Sequence, residues 1–213
     1  TPRAVVLQGS AGNGKSRLVE WMCERAHELG ACTLLKAVHG PNPGPTDGLG
    51  PMLARHFGSV GLPREDLAAR LEVLLRREGV IEPSEWEAFT ELIEPAPEDY
   101  EGPVVRFGAP EERHVLVVRH LRRLTDRRPV LVWLDDVQWG PDAQDFAADL
   151  LTRPEVGPVL VLLTAQEEAL AEHPEARARL DAFLAHDWAS AQPVDVLERN
   201  DARELVRTLL MDL

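Results

Sequence analysis

The stretch of sequence that decides the fold is Gly9-Ser10-Ala11-Gly12-Asn13-Gly14-Lys15-Ser16. A short apolar run at residues 4–8 precedes it, and a helical pattern at residues 17–23 follows it. A strand, a glycine-rich loop that ends in Lys-Ser and a helix together form the pattern of a phosphate-binding P-loop. An ordinary glycine-rich turn is the alternative, but the flanking strand and helix favour the P-loop.

The residue types in this loop suit the binding of a nucleotide's phosphates. The glycines at positions 9, 12 and 14 leave backbone N–H groups uncovered and allow positive φ angles. Lys15 brings a positive charge to the β- and γ-phosphate oxygens, and Ser16 offers a hydroxyl to Mg²⁺. The helix that begins near Gly14 directs its N-terminal dipole at the anion. We therefore expect the nucleotide to be bound by Gly9, Ser10, Ala11, Gly12, Asn13, Gly14, Lys15, Ser16 and Arg17.

A second motif, which is acidic, follows an apolar strand further along the chain. Residues 130–134 are strongly apolar and end in Asp135-Asp136, which is a Walker B pattern. A carboxylate at the tip of a strand beside a P-loop can hold Mg²⁺, so we predict a metal site formed by Ser16 and Asp135. Asp136 can orient or deprotonate the attacking water. A plain strand-to-turn cap is the alternative role for Asp135, and the upstream P-loop favours the metal site.

Strand and helix patterns alternate along the chain. Further strands are predicted at residues 31–38, 159–164 and 194–197, which gives five in all. Alternation of this kind predicts an α/β fold with a parallel sheet, covered by helices on both faces, and a site at the carboxyl ends of the strands. The segment at residues 40–109 is longer than a crossover helix needs, so we interpret it as a helical insertion with an acidic loop.

Composition restricts the function further. The net charge of −13 argues against direct nucleic-acid binding, because an acidic surface repels a phosphate backbone. No signal peptide and no apolar run of membrane-spanning length is present. Cys23 and Cys32 lack Cys-x-x-Cys spacing, which favours buried, reduced thiols in a cytoplasmic protein, with a disulfide as the alternative. The first strand lies close to Thr1 and a helical pattern runs into Leu213, so we interpret the chain as a fragment of a longer protein.

Other P-loop chemistries fit the sequence less well. A GTPase would show an Asn-Lys-x-Asp base-reading motif, and a transporter ATPase would show Leu-Ser-Gly-Gly-Gln; neither occurs. A small-molecule kinase remains an alternative, although such an enzyme does not ordinarily carry an Asp-Asp pair followed by Val137-Gln138-Trp139.

Residues 134–142, Leu-Asp-Asp-Val-Gln-Trp-Gly-Pro-Asp, resemble the LDD-x-QW-x-D segment of STAND-type signalling ATPases, which are relatives of the AAA and origin-recognition ATPases. The P-loop with its following Arg17-Leu18 resembles that of the same family, and residues 196–206 resemble its fifth strand and the start of its helical lid. The resemblance implies a P-loop NTPase three-layer αβα sandwich with sheet order 5-1-4-3-2. It also implies a core over residues 1–199 and a truncated lid over residues 200–213, where Asn200 would cap the last helix.

The resemblance further implies an ATP-driven switch that hydrolyses ATP slowly to ADP with Mg²⁺. Its partners would be other domains of the same polypeptide, such as the lid, helical repeats or an effector module, and it would self-associate in a nucleotide-dependent way. The sequence departs from the family at three places. An upstream Gly-Arg-Glu segment is absent, the lid is cut short, and Gln166 stands where a γ-phosphate-sensing Arg is usual. No arginine finger can be named, since Arg177 and Arg179 fit a solvated helix face.

Two functions from different classes follow. The first is a switch ATPase with Lys15, Asp135, Asp136 and Gln166 as its catalytic residues, weak in hydrolysis as an isolated fragment. The alternative is a non-catalytic interaction platform on a P-loop fold, whose nucleotide is structural or lost. Gln166 and the acidic surface favour the platform. The ATPase is favoured by the intact residues Lys15, Ser16, Asp135 and Asp136.

Overall fold

The computed structural model describes residues 3–44, 47–102 and 104–196, together with residues 198 and 201. Within this part of the chain, five strands form a single sheet: β1 (Arg3–Gly9), β2 (Thr33–Val38), β3 (Val130–Asp135), β4 (Val159–Gln166) and β5 (Ala189–Pro193). Their order is β2-β3-β4-β1-β5, and every neighbouring pair is parallel. This is the predicted order 5-1-4-3-2 counted from the opposite edge, so the predicted α/β P-loop NTPase-like fold is confirmed.

The described residues also form eight α-helices. They are α1 (Lys15–Glu28), α2 (Leu49–His56), α3 (Arg64–Arg77), α4 (Pro83–Ile93), α5 (Pro110–Thr125), α6 (Pro141–Leu151), α7 (Glu167–Glu172) and α8 (Pro174–Leu184). Two short 3₁₀ turns lie at Val137–Trp139 and Pro154–Val156. None of the helices that the structure describes is long and apolar enough to cross a membrane.

Strand β3, which lies between β2 and β4, is buried along its whole length and divides the core into two clusters. Its alternate residues Val130, Val132 and Leu134 pack into the larger cluster, whereas Leu131 and Trp133 pack into the smaller one. Because successive side chains of a strand point to opposite faces, the two clusters lie on the two faces of the sheet. Helix α1 contributes to the smaller cluster, and helices α5 and α6 contribute to the larger one.

Helices α2, α3 and α4 lie between β2 and β3 and form the helical insertion. Phe89 of α4 is fully buried, and its ring makes edge contacts with the rings of Phe57 and His120. Polar contacts join the same helices to α5, since the Arg123 guanidinium lies 2.6 Å from a carboxylate oxygen of Glu85. Apolar packing and this ion pair therefore hold the insertion against the core.

The predicted fifth strand at residues 194–197 is a misplacement, because β5 spans Ala189–Pro193 and precedes it. The strand lies at the sheet edge and is largely exposed, so it lacks the apolar run that marks a buried strand. His173 separates the short helix α7 from α8. The residue before a proline disfavours helical geometry, which explains the break before Pro174. The predicted Asn200 cap and the lid at residues 200–213 lie outside the described residues, apart from residue 201.

Both cysteines are free thiols. Cys23 is buried in α1, and Cys32 is half-buried just before β2. Burial raises the pKa of the Cys23 thiol to about 11, so this side chain is protonated and unreactive at neutral pH.

We expect Phe89→Ala to lower the free energy of unfolding by about 3–5 kcal/mol, because the substitution leaves a cavity among buried rings. Urea unfolding followed by circular dichroism measures this change. Val73→Ala on α3 is the control, because Val73 is 51% exposed and its truncation should change stability by less than about 0.5 kcal/mol. An equal effect of both substitutions would contradict the assigned packing of the insertion.

Candidate functional site

The glycine-rich loop turns the chain from β1 into α1. Gly12 and Gly14 have φ angles of 81° and 88°, which lie in the left-handed region that glycine adopts without strain. Gly14 is the N-cap of α1, and its carbonyl accepts a hydrogen bond of 2.8 Å from the N–H of Leu18. The loop conformation therefore depends on glycine at these two positions.

The Lys15 side chain folds back over this loop. It is only 5% exposed, and its ammonium donates hydrogen bonds to the carbonyl oxygens of Gly9 (2.9 Å) and Ser10 (2.8 Å). The first turn of α1 thus holds a positive charge against the start of the loop. This arrangement concentrates the backbone N–H groups of a helix N-terminus and one ammonium in the same place, which suits a polyphosphate.

Asp135 at the end of β3 contacts the residue that follows Lys15. Its Oδ1 atom accepts a hydrogen bond of 2.8 Å from the Ser16 hydroxyl, although the two residues are 119 positions apart in the chain. The fold therefore brings together the two side chains that the sequence predicts as Mg²⁺ ligands.

Thr164 on β4 is a further member of the site, which the sequence analysis did not assign. Its fully buried hydroxyl donates to the Asp135 carboxylate at 2.6 Å and accepts a hydrogen bond of 2.8 Å from the N–H of Asp136. One hydroxyl thus fixes both residues of the Asp-Asp pair. The signal in the sequence is a hydroxyl residue near the end of an apolar strand that lies beside β3.

Asp136 has an unusual backbone conformation. Its φ of 53° makes it the only non-glycine residue with a positive φ in the described part of the chain. Aspartate tolerates the left-handed region better than most residues do. The conformation turns the carboxylate toward β4, where its Oδ1 accepts hydrogen bonds from the amides of Gln166 (2.9 Å) and Gln138 (3.3 Å).

The side chain of Gln138 completes this group. It is 5% exposed, and its Oε1 accepts a hydrogen bond of 3.2 Å from the backbone N–H of Gln166. The structure therefore brings Lys15, Ser16 and Asp135 together at the carboxyl ends of the strands, with Asp136 and Gln166 beside them. Gln138 was noted in the sequence only as part of a motif, without a role in the site.

Residues that the sequence did not predict as part of the site also contact the phosphate loop. Glu168 at the start of α7 accepts a hydrogen bond of 3.1 Å from the Ala11 N–H. Hydrogen bonds from its own backbone, from the Ser10 side chain and from Ala11 lower the pKa of Glu168, so it stays ionised. Asn13 donates its side-chain amide to the Val194 carbonyl at 2.9 Å. The Arg17 guanidinium is exposed and pairs with Glu20 at 2.9 Å.

His39, the residue after β2, forms hydrogen bonds with Asp135. Its backbone N–H and its ring Nδ1 both lie within hydrogen-bond distance of the Asp135 carbonyl, at 3.1 and 2.8 Å. Because a carbonyl only accepts, Nδ1 carries the proton. Burial lowers the pKa of His39, so the imidazole is neutral at physiological pH. The His39 ring also packs directly on Gly140, where a Cβ atom would overlap it.

The donor set at Asp135 fits a magnesium ion. In the residues that the structure describes, no three His, Cys, Asp or Glu side chains are grouped so as to hold a metal alone. Magnesium in nucleotide sites usually takes one or two protein oxygens and completes its shell with water and phosphate oxygens. The Ser16 hydroxyl and the Asp135 carboxylate supply oxygens of this kind.

We expect Thr164→Val to lower the free energy of unfolding by about 1–3 kcal/mol, since the buried Asp136 N–H loses its acceptor. Thr152→Val is the matched control, because the Thr152 hydroxyl is exposed and bonds only to the Asp149 carbonyl. Thermal and urea unfolding of both variants measure the difference. A Thr164 variant as stable as the wild type would contradict the hydrogen-bond assignment.

A family model described as the AAA ATPase domain matches residues 1–162. No curated protein matches the chain. Among solved structures, VirB4 of Thermoanaerobacter pseudethanolicus is similar, with 15% identity over 99% of this chain and 81% of that chain and a TM-score of 0.35. A likeness at that score carries no argument about function. The family match covers most of the chain and includes both the P-loop and the Asp-Asp pair, and the chain therefore belongs to the AAA ATPase domain family.

Proposed function

We propose that this chain is the ATP-binding, Mg²⁺-dependent switch ATPase domain of a larger signalling or transcription-regulatory protein, and that it hydrolyses ATP slowly to ADP. Its family is one of nucleotide-binding ATPase domains. The observation that carries the proposal is the 2.8 Å contact between Ser16 and Asp135, because it unites the phosphate loop with the acidic strand end.

Each residue of the site has a distinct role in this proposal. The loop residues 9–17 bind the phosphates, and Lys15 neutralises charge on the β- and γ-phosphate oxygens. Ser16 and Asp135 hold Mg²⁺, which when bound neutralises charge that develops on the transferred phosphoryl group. Asp136 orients the attacking water and accepts its proton. Gln166 lies beside Asp136 and senses the γ-phosphate through its amide, with a hydrogen bond but no charge.

The switch role rests on the resemblance of the Asp-Asp and Gln-Trp segment to STAND-type ATPases. In this role, the bound nucleotide would set the association between this domain, its lid and an effector module of the same polypeptide, and would control self-association. We place the protein in the cytoplasm. The net charge of −13 supports the view that this domain binds no nucleic acid directly.

A non-catalytic platform is the second candidate function. The observation that favours it is Gln166, whose amide hydrogen-bonds to Asp136 and brings no positive charge to the terminal phosphate. Single-turnover hydrolysis under enzyme excess separates the two candidates, because a platform would bind ATP without releasing phosphate.

We expect Lys15→Ala to raise the Kd for Mg-ATP at least about 100-fold, since the phosphates lose their compact positive charge. Isothermal titration calorimetry measures the affinity. Lys36→Ala is the matched control, because Lys36 is the only other lysine in the chain. It lies on the edge strand β2, and its ammonium lies over the Trp133 ring. Full ATP affinity in the Lys15 variant would show that the site is wrongly assigned.

We expect Asp136→Asn to keep the Kd for Mg-ATP within about twofold and to slow single-turnover hydrolysis at least about 100-fold, which is the usual contribution of a general base. Asp126→Asn, at an exposed position after α5, controls for the loss of one carboxylate. If the Asp136 variant hydrolyses ATP at the wild-type rate, the proposed mechanism is wrong. If the wild-type chain binds ATP without turnover, the platform is the better description.

A further inference from the structure

Gln138 forms hydrogen bonds with both Asp136 and Gln166. In the proposed mechanism Asp136 acts on the attacking water and Gln166 senses the terminal phosphate. Both ends of the Gln138 side-chain amide are engaged. The Nε2 group donates to Asp136 Oδ1 at 3.3 Å, and Oε1 accepts from the Gln166 backbone N–H at 3.2 Å. The side chain is 5% exposed, so water competes little for either contact.

We propose that Gln138 is a positioning residue for ATP hydrolysis, which fixes the Asp136 carboxylate relative to the end of β4. This inference rests on the proposed function, because it requires Asp136 to act on the attacking water. Gln138 itself touches neither nucleotide nor water in this scheme. It acts through the orientation of Asp136.

The chemistry of the amide explains why glutamine suits this position. An amide offers donors and an acceptor on one planar group, so it can serve a carboxylate and a backbone N–H at the same time. A carboxylate at the same place would accept from Gln166 but would repel Asp136. An apolar side chain of equal length would serve neither.

The two amides act on the same oxygen of Asp136. Gln166 Nε2 donates to Oδ1 at 2.9 Å, and Gln138 Nε2 donates to that atom from the turn after β3. Two donors on Oδ1 restrict rotation of the carboxylate and leave Oδ2 to take the proton of the attacking water. A carboxylate that is already oriented toward the water reacts faster than one that must first rotate into position.

The backbone around Gln138 is held independently of its side chain. The Asp136 N–H bonds to Thr164, and the Asp136 carbonyl accepts a hydrogen bond of 3.1 Å from the Trp139 N–H. The Gln144 amide donates to the Val137 carbonyl at 2.8 Å. Removal of the Gln138 amide should therefore leave the Gln166 donor on Asp136 Oδ1 and loosen the carboxylate without unfolding the turn.

The first variant is Gln138→Met, which keeps the length of the side chain and removes both hydrogen bonds. We expect its single-turnover rate to fall about tenfold while the Kd for Mg-ATP stays close to the wild type, and its melting temperature to fall by a few degrees because the Gln166 N–H loses its acceptor. Gln192→Met is the matched control, because Gln192 is exposed on β5 and should hydrolyse ATP at the wild-type rate.

The second variant, Gln138→Glu, separates positioning from support of the fold. It keeps an acceptor for the Gln166 N–H and replaces the donor to Asp136 by a second carboxylate. If Gln138 positions Asp136, this variant is slower than Gln138→Met at unchanged Kd. If Gln138 only supports the backbone of Gln166, this variant is the faster of the two, and the inference is overturned.

The outcomes also distinguish this inference from the proposed function. A wild-type rate in Gln138→Met, together with an inactive Asp136→Asn, would overturn the role of Gln138 alone. An Asp136→Asn variant as fast as the wild type would overturn the proposed function and this inference with it. A fall in rate matched by an equal fall in ATP affinity would assign Gln138 a structural role. If Gln138→Met does not fold, Gln138→Asn replaces it, because this amide is one methylene too short to serve both partners and should be slow at unchanged Kd.

Discussion

The Asp135 carboxylate is the group on which the arrangement of the site depends. Its Oδ1 atom accepts hydrogen bonds from Ser16, at the start of α1, and from Thr164 on β4. Residues of α1, β3 and β4 therefore meet at one atom. Asp135 is only 8% exposed, so a shift of β3 against its neighbours would leave buried polar groups unpaired. Hydrogen bonds as well as apolar packing thus fix the phosphate loop relative to the centre of the sheet.

Some residues of this site can be predicted from the sequence, whereas others depend on the tertiary structure. Glycine spacing and the Lys-Ser pair reveal the P-loop, because their chemistry is local. Thr164 could not be assigned in the same way, since its role depends on strand register: β3 and β4 align Leu134 with Leu163, which places Thr164 next to Asp135. Gln138 was missed because the turn that directs it inward depends on the left-handed conformation of Asp136. The fifth strand was misplaced because an exposed edge strand has no apolar signature.

The side chains that bond to the carboxylates of Asp135 and Asp136 in the described residues are all neutral hydroxyls and amides. A cationic partner would instead neutralise the charge of the carboxylate, as Arg123 does for Glu85 elsewhere in the molecule. Because neutral donors orient a carboxylate without cancelling its charge, Asp135 keeps its attraction for a cation and Asp136 keeps its negative charge beside the site. Glutamine at position 166, in place of arginine, belongs to the same pattern.

The contacts of Val194 have a consequence for how a change at the phosphate loop reaches the rest of the polypeptide. Its N–H donates to the Gln8 carbonyl at 2.7 Å, and its carbonyl accepts from Asn13 and lies against Gly9, where no Cβ atom would fit. The chain that leaves β5 is therefore attached to both ends of the loop. A rearrangement of the loop would therefore act directly on Val194, which itself packs against the smaller core cluster. The phosphate loop and the first residue after β5 are thus mechanically coupled through these hydrogen bonds.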